Sequence, residues 1–432
     1  MTVSTSDPTL DPALRSWVDS ANLEGNDFPI QNLPYGVFAS GQGDHRIGVA
    51  IGDMVLDVHQ AIETLALQDL QPETACALSA TTLNAFMGLG PRSWRSARRS
   101  ISSLLAEGAD PHPHLLSPRD SVSMRMPASV GDYTDFYASR HHATNVGRMF
   151  RPDGEPLLPN YLNLPVGYHG RASTLVVSGT HIRRPYGQLK PNDGPPVFDA
   201  CRLLDYEMEF GVFVGAGNDR GHRIEMASAM DHIFGLVILN DWSARDVQKW
   251  EYQPLGPFNA KNFATSISPW VVTMDALSPF RRPGPEREPG DPALLDYLAP
   301  VTEDVLDVTC EVHLSSAAMR EAGQPPMHLS RGSLADITWT FSQMLAHHTS
   351  TGCAMHPGDL LGSGTVSGPG KENRGCLLEL TWRGTEPIEL PDGTQRKFLQ
   401  DDDELTMSAY CEAEGATRIG LGSCTGIIQS AS

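Results

Sequence analysis

Asp205-Tyr206-Glu207-Met208-Glu209-Phe210-Gly211-Val212-Phe213-Val214 is the stretch on which the reading of this chain turns. It reads as a β-strand. Side chains alternate between the two faces of a strand, so Glu207 and Glu209 share one face, with backbones roughly 6–7 Å apart. Val212, Phe213 and Val214 continue it as an apolar run, the pattern of a strand covered on both faces. Two like charges on one face repel, and burying them without a partner is costly. An oxygen-rich, sulfur-free pair suits a hard divalent cation, Mg²⁺ or Ca²⁺. The plainer alternative is an edge strand whose charges discourage pairing. The apolar run favours burial and the cation.

Further carboxylates lie on either side. Ile233-Phe234-Gly235-Leu236-Val237-Ile238-Leu239 is a second apolar strand, and Asp241 stands at its end. Asn240, Asp241 and Ser243 are also good helix N-caps, which accounts for each taken alone. In the helix expected over 244–250, Arg245 and Gln248 share a face, with Tyr252 one turn further on. Such a face can grip a carboxylate or an oxyanion. Upstream, residues 131–147 gather Asp135, Tyr137, Arg140, His141 and His142 into what reads as a turn-rich segment. A solvated loop is the ordinary alternative, but a His beside carboxylates is a general-base candidate. Lys261 is either a surface lysine or a charge facing developing negative charge. Residues 358–369 lack nucleotide-binding spacing. They read as a strand end whose Thr365 hydroxyl touches substrate, followed by Glu379.

Composition bounds the rest. The 432 residues are 40% hydrophobic, with 40 Gly and 33 Pro, which favours several domains of loop-rich β architecture. The net charge of -20 repels nucleic acid and anionic membranes. The run 233–239 is far shorter than the about 20 residues needed to cross a bilayer. Met1 to Asp7 lacks the features of a signal peptide. Seven scattered cysteines without a CxxC pair indicate reduced thiols in a cytoplasm and no Cys-based zinc. A hairpin over 46–58 and helices near 61–70 and 92–107 precede a Pro-rich break. This places a boundary near Met126-Pro127, dividing 1–127 from 128–432. Beyond it, short strands (174–178, 270–274, 376–382) alternate with turns, few helices intervene (244–250 and 334–347), and 278–292 is a surface loop. The expectation is a large, mostly antiparallel β-sandwich or roll.

Longer strings are more specific. Asp-Tyr-Thr-Asp-Phe-Tyr (132–137) with His-Ala-Thr-Asn-Val-Gly (142–147), Leu-Pro-Val-Gly-Tyr-His-Gly-Arg-Ala-Ser (164–173), Asn-Asp-Trp-Ser-Ala-Arg-Asp (240–246) and Gln-Lys-Trp-Glu-Tyr (248–252) closely resemble the fumarylacetoacetase family. The resemblance runs through nearly the whole chain, including Arg-Ile-Gly-Val-Ala-Ile-Gly-Asp (46–53). It implies a mainly β protein with a small N-terminal SH3-like barrel and a large C-terminal mixed β-sandwich roll, acting as a homodimer. It implies hydrolysis of a carbon–carbon bond of the dicarboxylate diketone 4-fumarylacetoacetate to fumarate and acetoacetate, the last step of tyrosine and phenylalanine breakdown. By motif, Asp135, Glu207, Glu209 and Asp241 would bind the main Ca²⁺ or Mg²⁺. Asp241, with Lys261 and Thr265, would lie near a second Mg²⁺. His142 would be the base and Glu379 its orienter. Arg245, Gln248 and Lys261 would stabilise the oxyanion and the leaving group. Tyr137, Arg151, Tyr168, Gln248, Tyr252 and Thr365 would hold the substrate's carboxylates and ketones. His141 departs from the family pattern, where Gln stands. The rivals are a relative acting on shorter acylpyruvates and a non-catalytic protein whose strands a cation pins together.

Overall fold

Met208–Val214 forms the middle of an eight-stranded sheet. This computed structural model describes residues 7–39, 41, 43–284, 286–301 and 304–432; residues 1–6, read above for a targeting signal, lie outside them. The strand pairs antiparallel with Ile233–Asp241 on one side and Leu360–Gly362 on the other. Beyond Leu360–Gly362 the sheet continues through the parallel Tyr133–Phe136 to Gly167–His169. Beyond Ile233–Asp241 it continues through Thr265–Ile267 to Leu175–Val177, and Val272–Thr273 also pairs with Ile233–Asp241.

Both faces are covered, which is why the two central strands are apolar without alternation. Phe210, Val212, Leu236 and Ile238 share a core with Leu314, Met407, Leu421 and Ile428 of a second sheet. That sheet runs Met327–Ser333, Thr309–Ser315, Glu404–Cys411, Ile419–Gln429 and Ile182–Arg183. Phe213, Phe234, Val237 and Leu239 face the other way and pack with Val37, Val49, Phe86, Trp94 and Ile101 from the N-terminal region. Each such side chain fully buried contributes about 1.5–3 kcal/mol.

The N-terminal region holds an antiparallel five-stranded sheet ordered Leu116–Pro118, Met54–Asp57, Arg46–Ile51, Tyr35–Ala39, Ser123–Arg125. Gly52 turns the expected hairpin at φ +58, a conformation that costs glycine little. The helix Pro91–Leu105 buries Trp94, Ala97, Arg98, Ile101 and Leu105 at helical spacing, as its sequence requires. Phe86 and Trp94 place their rings 5.7 and 5.3 Å from that of Phe234, so the N-terminal region and the central sheet share one core.

Several local expectations are corrected. Residues 376–382 are not a strand; Leu377–Leu380 is a one-turn helix, because the Asp205 carboxylate accepts the backbone N–H groups of Leu377 and Leu378. The expected helix over 334–347 is a 3₁₀ turn, Leu334–Asp336, followed by a separate helix Phe341–Thr349. Thr340 and Gln343 start the latter with a reciprocal capping box. The helix expected near 61–70 begins earlier, as Val58–Glu63 capped by Asp57. Residues 131–147 are not turn-rich: they are the strand Tyr133–Phe136 and the helix Arg140–Phe150, capped by Ser139 Oγ. Helices are therefore more numerous than the turn-rich composition suggested. The 278–292 loop, described except for residue 285, is tied down at Asp291, whose carboxylate pairs with Arg140 at 2.7 Å.

Candidate active site

The antiparallel order of the central sheet brings four of the predicted residues to one sheet edge. Asp135 lies near the end of Tyr133–Phe136 and Glu209 near the start of Met208–Val214. Asp241 closes Ile233–Asp241, and Thr265 opens Thr265–Ile267. Gly362 sits opposite Asp135 in the register, and a Cβ there would fall 2.6 Å from Asp135 Oδ1, so only glycine admits this approach.

The edge opens on a cavity of about 420 Å³. His142, Tyr137, Arg151, Tyr168, Arg245, Gln248, Tyr252, Lys261 and Thr365 line it, with Asp135, Glu207 and Glu209. Asp241, Thr265 and Glu379 stand behind that wall and act through neighbours.

The acidic floor divides into two parts. Glu207 is satisfied by cations: Arg245 Nη1 lies 2.8 Å from Oε1, and Lys261 Nζ donates to Oε2. Burial would raise its carboxyl, but Lys261 and Arg245 together hold it below the ordinary range. Asp135, Glu209 and Asp241 bring oxygens within 4.8 Å of one another, all buried. Asp241 accepts from Lys261 Nζ (2.6 Å), Tyr168 OH (3.0 Å) and Thr265 Oγ1 (3.3 Å), and Asp135 accepts from Gly364 N (3.1 Å). Among the described residues no group donates a hydrogen bond to either oxygen of Glu209, although the residue is fully buried. Burial, with Asp135 and Asp241 close by, pushes the Glu209 carboxyl far up; burial and Asp241 push Asp135 to about 8. Lys261 acts on Glu209 only through space, and an ionised Glu209 has no hydrogen-bond donor among the described residues. Three hard oxygen donors around an unsatisfied carboxylate fit a divalent cation of the Mg²⁺ or Ca²⁺ kind.

Above this floor stand His142 and Glu379. His142, third residue of the helix Arg140–Phe150, places Nδ1 2.6 Å from Glu379 Oε2. Glu379 also accepts from Asn145 Nδ2 (2.8 Å), Ser367 Oγ (2.8 Å) and Cys376 Sγ (3.2 Å). Burial alone would raise its carboxyl; the charge and hydrogen bond of His142, with the Asn145 and Ser367 donors, bring it down to about 2. With Nδ1 turned to a carboxylate, Nε2 is the acceptor nitrogen. The Thr365 hydroxyl is buried on the cavity wall without a hydrogen-bond partner.

Asn145, Ser367 and Cys376 were not anticipated. Asn145 follows His142 by three residues, one helix face, and would have been found had 140–150 been read as a helix. His141 is not among the residues lining the cavity.

A family model described as fumarylacetoacetate (FAA) hydrolase C-terminal matches residues 132–429, and one described as fumarylacetoacetase N-terminal matches residues 31–127. The fumarylacetoacetase of Bos taurus is 49% identical over 412 residues, 93% of this chain and 96% of its own. That of Homo sapiens is likewise 49% identical, with the same coverage. The solved fumarylacetoacetate hydrolase from psychrophilic Exiguobacterium antarcticum superposes with a TM-score of 0.50 at 17% identity, covering 92% of this chain and 99% of that one, a likeness of fold. The chain belongs to the fumarylacetoacetate hydrolase family.

Proposed function

We propose that this protein hydrolyses 4-fumarylacetoacetate to fumarate and acetoacetate, closing tyrosine and phenylalanine breakdown. The observation that carries the reading is the His142–Glu379 pair opening on the same cavity as the acidic floor and the buried cations Arg245 and Lys261. Asp135, Glu209 and Asp241 would hold the metal, with Glu207 held alongside by Lys261 and Arg245; Lys261 and Thr265, which both bond Asp241, would border a second Mg²⁺. A hard divalent cation there supplies a Lewis acid that eases departure of an enolate leaving group.

The chain's own groups do the rest. His142 Nε2 takes a proton from the attacking water, and Glu379 stabilises the imidazolium that forms. Arg245, Gln248 and Lys261 present donors to the oxyanion, where a preorganised donor typically contributes about 3–4 kcal/mol. Arg151, Tyr137, Tyr168, Tyr252 and the unpartnered Thr365 hydroxyl orient the two carboxylates and the ketones. Phe150 and Pro257, half-buried on the cavity wall, give it an apolar side.

The test pairs a substrate panel with His142→Ala. Fumarylacetoacetate should be turned over with much higher kcat/KM than short acylpyruvates, and His142→Ala should abolish turnover while leaving the melting curve intact. Preference for an acylpyruvate would move the protein to the rival activity.

The same reading extends to organisation. The five-stranded N-terminal sheet supports an SH3-like barrel over 1–127, and the eight-stranded sheet with the second five-stranded sheet supports a β-sandwich roll over 128–432. A cytoplasmic homodimer fits too. Seven free cysteines suit a reducing compartment, and exposed Phe198 (77%), with Tyr186 and Val197 on the same hairpin, offers apolar surface for a second copy. No helix among the described residues is long and apolar enough to cross a membrane. Sedimentation at a monomer's mass would refute the dimer.

A further inference from the structure

We propose that Asp205 is a positioning residue that locks the oxyanion donor Arg245 and the orienter Glu379 into one register. The proposal rests on the hydrolytic reading above. Asp205 is fully buried, and it is not among the residues lining the cavity.

Four donors converge on its carboxylate, and a further guanidinium nitrogen lies close by. Oδ1 accepts from Tyr206 N (2.9 Å) and Leu377 N (2.8 Å), and Oδ2 from Leu378 N (3.0 Å) and Arg245 Nε (2.9 Å), with Arg245 Nη2 also 2.8 Å away. Through these bonds one side chain spans two separate elements of the site. On one side, Arg245 has its Nε edge fixed by Asp205, so that Nη1 reaches Glu207 Oε1 (2.8 Å) and Gln248 Oε1 (3.1 Å). On the other, the backbone of Leu377 and Leu378 is held at the start of the single turn that carries Glu379 to His142 Nδ1. The path His142–Glu379–Leu377/Leu378–Asp205–Arg245–Glu207 joins the base to the acidic floor without passing through the cavity.

A structural cap alone does not require this chemistry. Burying a charge is costly, and a neutral side chain can serve a helix start. The requirement comes from the donor set: all four hydrogen-bonding groups donate and none accepts. Only an ionised carboxylate meets them together, because an amide must turn its own NH₂ toward either Arg245 or the Leu377 turn. Asp205→Asn therefore keeps the volume and forces one of the two arms to move.

The experiment is a double-mutant cycle with Asp205→Asn and Arg245→Met, assayed by fumarate release. Asp205→Asn should lower kcat about tenfold or more, with KM within about threefold, since the arms act on the transition state. In the Arg245→Met background the same change should cost clearly less, because one of the two arms it positions is gone. An unchanged kcat, or an equal loss in both backgrounds, overturns the proposal. Should Asp205→Asn fail to fold, Asp205→Glu is read in the same two backgrounds, since it keeps the acceptor-only head and displaces it by one methylene. A crystal structure of the folded variant decides independently of turnover. Arg245 displaced from Glu207, or Glu379 from His142, supports the lock; both in place refutes it. An unaltered chain inactive on fumarylacetoacetate sinks the hydrolytic reading, and the crystallographic comparison then judges Asp205 by itself.

Discussion

Replacing Glu379 by Gln removes one charge and keeps the shape. A carboxyl held at about 2 against an ordinary 4.5 is favoured as the carboxylate by roughly 3 kcal/mol, at 1.36 kcal/mol per pKa unit. The group is fully buried, so solvent does not discount that figure. The largest lowering part is the Coulombic interaction with His142, which acts when the imidazole carries a proton, as it does in the transition state. A loss of about 100-fold in kcat follows, at the lower end of what a positioned general base contributes. KM should stay within about threefold, because Glu379 does not line the cavity. The assay is steady-state loss of diketone absorbance, with a melting curve as the control for folding. Linkage fixes a second sign. Because its pKa is depressed, Glu379 contributes stability that is present above about pH 4.5 and is lost as pH falls toward 2. The melting difference between wild type and variant should be largest near neutrality and shrink in acid. A folded Glu379→Gln protein keeping kcat within about threefold would refute the role assigned to this pair.

Two further outcomes follow. With the cation chelated, Asp135 titrates near 8 against an ordinary 3.8, so the metal-free protein should lose stability as pH rises from about 4 to 8. Added Mg²⁺ or Ca²⁺ should raise the melting temperature more at pH 8 than at pH 5, because it binds the ionised form; equal stabilisation at both pH values contradicts the three-carboxylate site. Phe234→Ala empties a fully buried position ringed by Tyr35, Phe86 and Trp94 and should cost about 3–5 kcal/mol, read from the urea midpoint. A cost below about 1 kcal/mol would contradict a core shared between the N-terminal region and the central sheet.

The central strands were legible because burial on both faces leaves a continuous apolar signature, as in Val212-Phe213-Val214. The shared face of Glu207 and Glu209 followed from the two-residue period, and both reach the cavity. The period could not tell that Glu207 is matched by Arg245 and Lys261 while Glu209 is left without a hydrogen-bond donor among the described residues, since those cations arrive from other segments. The errors share a cause. Residues 376–382 are β-prone locally, yet Asp205, far back in the chain, captures their backbone N–H groups and winds one turn of helix. Residues 140–150 carry polar side chains that resemble a loop, and the helix rests on a Ser139 cap and on Asn145 meeting Glu379. Tertiary partners such as Asp205 and Glu379 leave no periodic trace in the sequence.

The most direct measurement is product identification with purified protein, 4-fumarylacetoacetate and Mg²⁺ or Ca²⁺, followed by chelation. The expected result is equimolar fumarate and acetoacetate, abolished by chelator and restored by the cation. Intact diketone after prolonged incubation with the metal-loaded protein, or undiminished turnover in metal-free protein, would contradict it.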